Sequence, residues 1–386
     1  MRILLVSSSS GSRGGGELFL LYLADALKAA GHEPMLWCAS DPRMDELARR
    51  FEVLGSVTRD DYPNSYLDRR LRVLSAVWDQ GTIHRLAKRF RGMSCDVIHL
   101  NKQTLEDGLD LLKAICLSGK PLVSTIHITQ TSQSLGAIGG RLRDFVAIRE
   151  LRRTSDVCFT AVSDARALEL GRVIGRKITV IYNAVSDPPV SDRSVIRKEI
   201  LTSRDWPTNT LLVVCVGRLV AQKNPKRFLG MAKALLQVEP VSRFLWIGGG
   251  EEQEQFLEHA AKLGLTGKVD CTGWLPDPRP LLSGADLYLH PAIFEGLPLA
   301  ILEAMAAGLP CVLSKEITLE MDAFDEETVI TAKQEDDKWL LLAASEEARK
   351  KFGEASSKLY RSHFRTEVMA KAFLKLYTLQ IAEKRR

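Results

Sequence analysis

A rhythm of short, unbroken apolar runs separated by longer amphipathic stretches governs this chain from its first residues. Ile3-Leu4-Leu5-Val6 leads into the amphipathic stretch 18–30 and then Met35-Leu36-Trp37-Cys38. Later runs are 97–100, 122–126, 158–162 and 178–181. A strand with one wet face alternates polar and apolar residues, whereas a strand covered on both faces does not. Unbroken β-branched runs with helical stretches between them therefore predict parallel strands in an α/β domain.

The rhythm then starts again. Asp187-Pro188-Pro189-Val190-Ser191-Asp192 is a polar, proline-containing break, and new runs follow at 211–216, 243–247, 269–271, 287–289 and 310–313. Two α/β units in tandem are expected, over 1–186 and 187–365. In 366–386 apolar residues fall at 369, 372, 373, 376, 377 and 381, the spacing of a helix. A chain of 386 residues suits two domains of ordinary size. Its net charge of +5 is too small and too dispersed to argue for nucleic acid. The seven cysteines include no CxxC pair and several sit in apolar runs, so reduced core thiols in a cytoplasmic setting are expected. The run 3–6 is too short for a secretory h-region, and no run is long enough to span a bilayer; any membrane contact would be peripheral.

Three stretches carry chemistry. The first strand runs into Gly11-Ser12-Arg13-Gly14-Gly15-Gly16 before a helix, a place where backbone can approach a ligand and a helix N-terminus favours negative charge. The glycines are spaced GxxGGG rather than GxGxxG, and no acid ends the second strand, so a dinucleotide cofactor is disfavoured. A substrate-contacting loop and a plain flexible turn remain open. Near the end of the second unit, the strand 287–290 is followed by Glu295, Gly296, Pro298 and a helix closed by Gly308. Backbone N–H groups at Leu299 and Ala300 would then form an anion site, with Glu295 in the loop before the helix and Glu303 within it. Read alone, Glu303 could be a solvated helix charge, but Ile301, Leu302 and Met305 around it are apolar. The strand 211–216 ends in Gly217-Arg218, with Lys223 soon after, a cation pair suited to a diphosphate.

Taken together these stretches resemble the retaining glycosyltransferases of family 4, with the GT-B fold of two Rossmann-like domains facing across a cleft. Glu295 and Glu303 match the family's E-x7-E motif in FEGLPLAILEAMAAGLPCVLS. VGRLVAQKNP is similar to its diphosphate motif, IGGGEE at 247–252 to its glycine turn, and TGWLPDPRPLLSGADLYLHPA to its nucleobase-side strand and helix. GGGELFLLYLADALKAAGHE, VSTIH and TAVSDA…ITVIYNAV resemble elements of the N-terminal domain. The resemblance covers nearly the whole chain. Two departures stand out: 315–345 lacks the glycine-rich hairpin usual after the second Glu, and Glu251-Glu252 follow Gly250 where proline is frequent.

The resemblance implies roles for individual residues. Arg218, Lys223, Leu299 and Gly296 would hold the donor diphosphate. Glu303, Leu275 and Gly249 would meet the ribose and base. Glu295 and His127 would be catalytic, His127 facing the sugar from the other domain. Gly15, Gly16 and Glu17 would line the phosphate or acceptor loop, and the helix 366–386 would return to the N-terminal domain. Without the resemblance, an ordinary buried core histidine is the alternative reading of His127.

On the acceptor side, 69–91 holds Arg69, Arg70, Arg72, Arg85, Lys88, Arg89 and Arg91 against the single acid Asp79. An apolar stripe of Leu71, Leu74, Trp78, Ile83, Leu86, Ala87 and Phe90 accompanies them. Residues 141–153 add five arginines to two acids. Such segments suit an anionic membrane surface, or else a helix that packs its stripe and solvates its charge. The resulting expectation is transfer of a hexose, with retention, from a UDP or GDP sugar to a glycan or lipid-linked acceptor. The setting would be cell-surface polysaccharide or glycolipid synthesis, in the cytoplasm or peripherally on the cytoplasmic face of the inner membrane. Neither metal nor cofactor is expected beyond the nucleotide sugar, because no Asp-x-Asp pair lies near the donor motifs. The alternatives are a sugar-nucleotide epimerase or hydrolase and a non-catalytic nucleotide-sugar-binding subunit.

Overall fold

The computed structural model describes residues 1–9, 11–62, 72–333 and 337–385; Arg69, Arg70, Leu71 and the side chain of Arg72 lie outside the described residues. Two all-parallel sheets account for the apolar runs. The first contains β1 (Arg2–Ser7), β2 (Glu33–Ala39), β3 (Ser56–Asp60), β4 (Val97–Lys102), β5 (Leu122–Ile126), β6 (Cys158–Ala161) and β7 (Thr179–Val180), in the order β3-β2-β1-β4-β5-β6-β7. The second contains β8 (Leu211–Val216), β9 (Ser242–Ile247), β10 (Val269–Cys271), β11 (Leu287–His290), β12 (Cys311–Ser314) and β13 (Ile330–Ala332), in the order β10-β9-β8-β11-β12-β13. Every residue of β4, β5, β8, β11 and β12 is buried, which is why these strands read as unbroken apolar runs.

Two strands carried no such signal, β3 and β13. Both lie at sheet edges, where one side is uncovered and polar residues such as Thr58, Arg59 and Thr331 are tolerated. In each sheet the strand order reverses at one place. Leu4 of β1 pairs with Met35 on one side and Ile98 on the other; Val213 of β8 pairs with Phe244 and Leu287. At such a reversal neighbouring connections leave to opposite faces, and a crevice opens at the carboxyl ends of the strands.

The chain divides into Met1–Ala184 with Thr366–Arg386, and Val185–Arg365. The division falls just ahead of the proline-rich break, because the second unit claims that segment's start. Val185 N donates to Phe364 O at 3.0 Å, and Arg365 Nη2 donates to Asp187 Oδ2 at 2.7 Å. Tyr360 Oη lies 2.9 Å from Asp187 Oδ1. The helix Thr366–Lys384 belongs to the first unit and buries Met369, Phe373 and Tyr377 in its core. Phe373 lies 4.8 Å, centroid to centroid, from His99, and Tyr377 Oη is 2.6 Å from His99 Nδ1. The second core is built around Phe228, Trp246 and Phe256.

The basic segment is corrected in one respect. Ile83, Leu86, Ala87 and Phe90 of the helix Gln80–Gly92 are buried in the first unit's core, with Phe90 5.3 Å from Trp37, so this part of the stripe is not free to meet lipid. Replacing Phe373 with Ala should leave a cavity between the terminal helix and the sheet and destabilise the first unit by about 3–5 kcal/mol. A lowered urea midpoint with earlier proteolysis within 1–184 is the expected readout.

Candidate functional site

The reversal point of the second sheet gathers most of the predicted residues. After β8, Gly217 and Arg218 lead into a short 3-10 turn, Ala221–Lys223, and Asn224 (φ 53°) caps the helix Pro225–Val238 by accepting from Arg227 N at 3.2 Å. After β11, residues 291–298 lead to the helix Leu299–Ala306, with Pro298 at its N-cap. The two loops are zipped together: Gln222 Nε2 donates to Phe294 O and Ile293 N donates to Gln222 O, both at 3.0 Å. This register brings the Lys223 ammonium onto the Glu295 carboxylate. Residues assigned separately to phosphate and sugar thus form one ion pair.

Glu295 is buried. Burial alone would raise its pKa, but Lys223 and His290 outweigh it and hold the carboxyl at about 2. His290 closes β11 and was not singled out in the sequence. Its Nδ1 is 3.0 Å from Tyr288 Oη, and its Nε2, buried and without a hydrogen bond among the described residues, lies 3.6 Å from Glu295 Oε1. Burial lowers the His290 pKa, against the opposing pull of Glu295. Arg218 is exposed, with no side-chain hydrogen bond or ion pair among the described residues, and remains open to an anion. Glu303 is buried within the helix Leu299–Ala306, close enough for its charge to act on the Tyr288 hydroxyl. Gly296 and Leu299 are buried at the approach to that helix and its first residue.

The glycine turn at 248–250 lies against the loop after β8. Leu219 N donates to Gly249 O at 2.9 Å, and a Cβ on Gly248, whose φ is 138°, would overlap Gly217 O. The loop carrying half-buried Leu275 is held beside this turn by the Gly248–Gly273 bridge.

In the first unit, β1, β4 and β5 bring another set together. Gly14 is the N-cap of the helix Gly15–Ala29 and has no side chain with which to cap it. Gly15 has open space where a Cβ would stand, whereas a Cβ on Gly16 would overlap the Gln103 amide. Asn101 Nδ2 donates to Gly16 O at 3.1 Å, and Asn101 Oδ1 lies 2.7 Å from His127 Nε2. With the amide so oriented, His127 must carry its proton on Nε2, leaving Nδ1 as a lone-pair acceptor. Burial lowers the His127 pKa to about 4, against the opposing pull of Asp107. Gln103 Nε2 donates to buried Glu17 at 3.2 Å. Asn101, Lys102 and Gln103 escaped the sequence reading; their signal was a polar run directly after the apolar strand 97–100. Among the described residues no group of three or more His, Cys, Asp or Glu is placed to hold a metal ion.

Residues 13–187 match the family model Glycosyltransferase Family 4, and residues 196–358 match Glycosyl transferases group 1. The chain is a GT-B glycosyltransferase of the family 4 type. This glycosyltransferase is 33% identical over 253 residues to the Escherichia coli UDP-Gal:alpha-D-GlcNAc-diphosphoundecaprenol alpha-1,3-galactosyltransferase, covering 63% of this chain and 64% of that enzyme. It is 28% identical over 234 residues to the lipopolysaccharide core biosynthesis glycosyltransferase LpsD of Rhizobium meliloti, covering 59% of this chain and 64% of LpsD. The match thus spans a little under two thirds of each of these curated relatives. In fold it resembles HepE of Anabaena in complex with UDP (TM-score 0.75, 18% identity, 98% of this chain and 100% of that one). Sucrose-phosphate synthase of Thermosynechococcus elongatus is similar too (TM-score 0.77, 19% identity, 99% and 100%).

The buried histidines of the first unit set its acid sensitivity. Below their ordinary value of 6.5 the unfolded chain takes up protons that folded His99 and His127, held at about 3 and about 4 by burial, refuse. Stability should therefore fall as pH drops through that window, by up to about 1.4 kcal/mol per histidine per pH unit. Urea midpoints measured between about pH 7 and about pH 5 should decline, and a flat profile would contradict the assignment.

Proposed function

We propose that this glycosyltransferase moves a hexose from a UDP or GDP sugar to a hydroxyl of a glycan or lipid-linked acceptor, with retention at the anomeric carbon. The observation that carries the reading is the Lys223–Glu295 pair at the sheet's reversal point, beside unpaired Arg218 and the start of the helix Leu299–Ala306. A diphosphate arriving there meets Arg218 and the N–H groups near Leu299, and its charge competes with Glu295 for Lys223. Glu295, once released, is an acceptor for sugar hydroxyls; Glu303 serves the ribose and Leu275 with Gly249 the base. His127, neutral and with Nδ1 bare, accepts a hydrogen bond from the sugar, while Gly15, Gly16 and Glu17 shape the loop at the other reversal point. In the transfer the bond from the anomeric carbon to the diphosphate oxygen breaks. The acceptor oxygen bonds to that carbon, and its proton passes to the leaving diphosphate. Fixed cations and a helix terminus stabilise the charge on the leaving group, so no divalent ion is required.

The lipid-linked acceptor is supported by the E. coli relative, whose name specifies a diphosphoundecaprenol substrate. A cell-surface polysaccharide or lipopolysaccharide role, at the cytoplasmic face of a membrane, fits the same relatives. Among the described residues, no helix is long and apolar enough to cross a membrane. A thermal-shift screen of UDP-, GDP- and ADP-sugars, followed by product analysis with and without acceptor, tests the reading. Free sugar formed equally in both, or an epimerised nucleotide sugar, would replace transfer with hydrolysis or epimerisation.

Turnover should persist after treatment with a chelator; complete loss restored by Mg²⁺ or Mn²⁺ would refute the metal-independent reading.

The two glutamates should separate in kinetics. Glu295→Gln should lower kcat strongly with donor affinity within a few-fold. Glu303→Gln should mainly raise KM, by roughly ten- to hundredfold, the worth of one charged hydrogen bond. Calorimetric donor titration with steady-state kinetics on both variants decides the matter, and full kcat in Glu295→Gln would refute the assigned site.

A further inference from the structure

The helix Gly140–Arg152 buries Val146, Ala147 and Leu151 in the first unit's core. Its inward face carries both of its acids: Asp144 accepts from Ser132 N at 2.6 Å and Gln133 N at 3.0 Å, and Glu150 takes the Lys113 ammonium at 2.5 Å. Its outward face, led by Ile138 just before the helix, carries Leu142, Phe145 and the arginines 141, 149 and 152, with no acid. Ile138, Leu142 and Phe145 are 94%, 60% and 64% exposed; Leu142 and Phe145 stand at i and i+3 on the helix, and Ile138 lies in the turn before it. Arg141 and Arg149 make no side-chain hydrogen bond or ion pair among the described residues. Beside this helix packs Arg72–Trp78, whose Trp78 is 70% exposed. On a helix that already buries one apolar face, exposed Leu142 and Phe145 form a second apolar patch that water alone would not select.

We infer that this outward face is a membrane-docking surface, in which Ile138, Leu142 and Phe145 enter the acyl boundary of an anionic bilayer while Arg141 and Arg149 pair with its headgroups. Charge selects this occupant. A second copy of the chain, laid face to face, would oppose arginine with arginine, whereas acidic lipid headgroups complement them. Docking here gives the lipid-linked acceptor reading a physical route, since the segment 128–139 joins the helix to His127. The inference rests on that reading only for its purpose, because bilayer binding is measurable without any acceptor.

The test is co-sedimentation with vesicles of equimolar phosphatidylglycerol and phosphatidylcholine, against vesicles of phosphatidylcholine alone, with the UDP-induced thermal shift as a separate readout. The parent protein should pellet with the anionic vesicles and be released by salt. Arg141→Gln/Arg149→Gln should weaken binding roughly thirtyfold, from about one kcal/mol per basic residue. Leu142→Ser/Phe145→Ser should weaken it roughly tenfold or more. Both variants should keep the parent's UDP shift, which shows that they fold. Quenching of tryptophan fluorescence by brominated lipid should diminish in Trp78→Phe. Failure of the parent to bind, binding by Leu142→Ser/Phe145→Ser equal to the parent's, or a concentration-dependent dimer abolished by that variant would each overturn the inference. Vesicle binding with no thermal shift from either UDP or GDP would leave it standing and refute the donor reading instead.

Discussion

A parallel sheet covered on both faces leaves little room for polar chemistry inside it, and the reversal of strand order decides where that chemistry goes. Strands such as β4, β8 and β11 are buried along their whole length, so polar and charged groups collect at their carboxyl ends and in the loops beyond. Each sheet reverses once. At one reversal stand Lys223, Glu295 and His290; at the other stand Gly16, Asn101 and His127.

The two reversal points are organised differently. In the second unit the controlling element is charge: a buried carboxylate is tolerable because an ammonium lies on it, and removing the ammonium would leave the carboxylate buried without that partner. In the first unit it is hydrogen-bond direction. The Asn101 amide, committed to Gly16 O, dictates which nitrogen of His127 bears the proton. Burial keeps that ring neutral, so it acts as an acceptor rather than a cation. Both arrangements are preorganised, with backbone contacts such as Gln222 to Phe294 O holding them in place.

The surface of the first unit follows another logic. Two basic helical segments looked alike in sequence and both bury an apolar face, yet they differ in what they leave outside. In Gln80–Gly92 the apolar residues fill the core and the cations face out, an ordinary surface helix. In Gly140–Arg152 the inward places are shared by Val146, Ala147 and Leu151 with the two acids, which are held by the backbone N–H groups of Ser132 and Gln133 and by Lys113, and Leu142 and Phe145 are left outside. Composition could not separate the two, because the difference lies in which residues find buried partners.

Unbroken apolar runs, their restart after about residue 190 and the placement of Arg218, Lys223 and Glu295 in loops after strands were legible in the sequence, because local pattern reports burial and burial on both faces means a parallel sheet. The edge strands β3 and β13 were not legible, since an uncovered edge imposes no apolar pattern. Nor was the pairing of Lys223 with Glu295, the orientation of His127 by Asn101, or the proximity of His290 to Glu295. Those contacts join residues far apart in the chain, and they exist only because the strands carrying them pair side by side. Sequence periodicity determined what each segment is; strand order, which no local pattern encodes, decided which of its side chains meet.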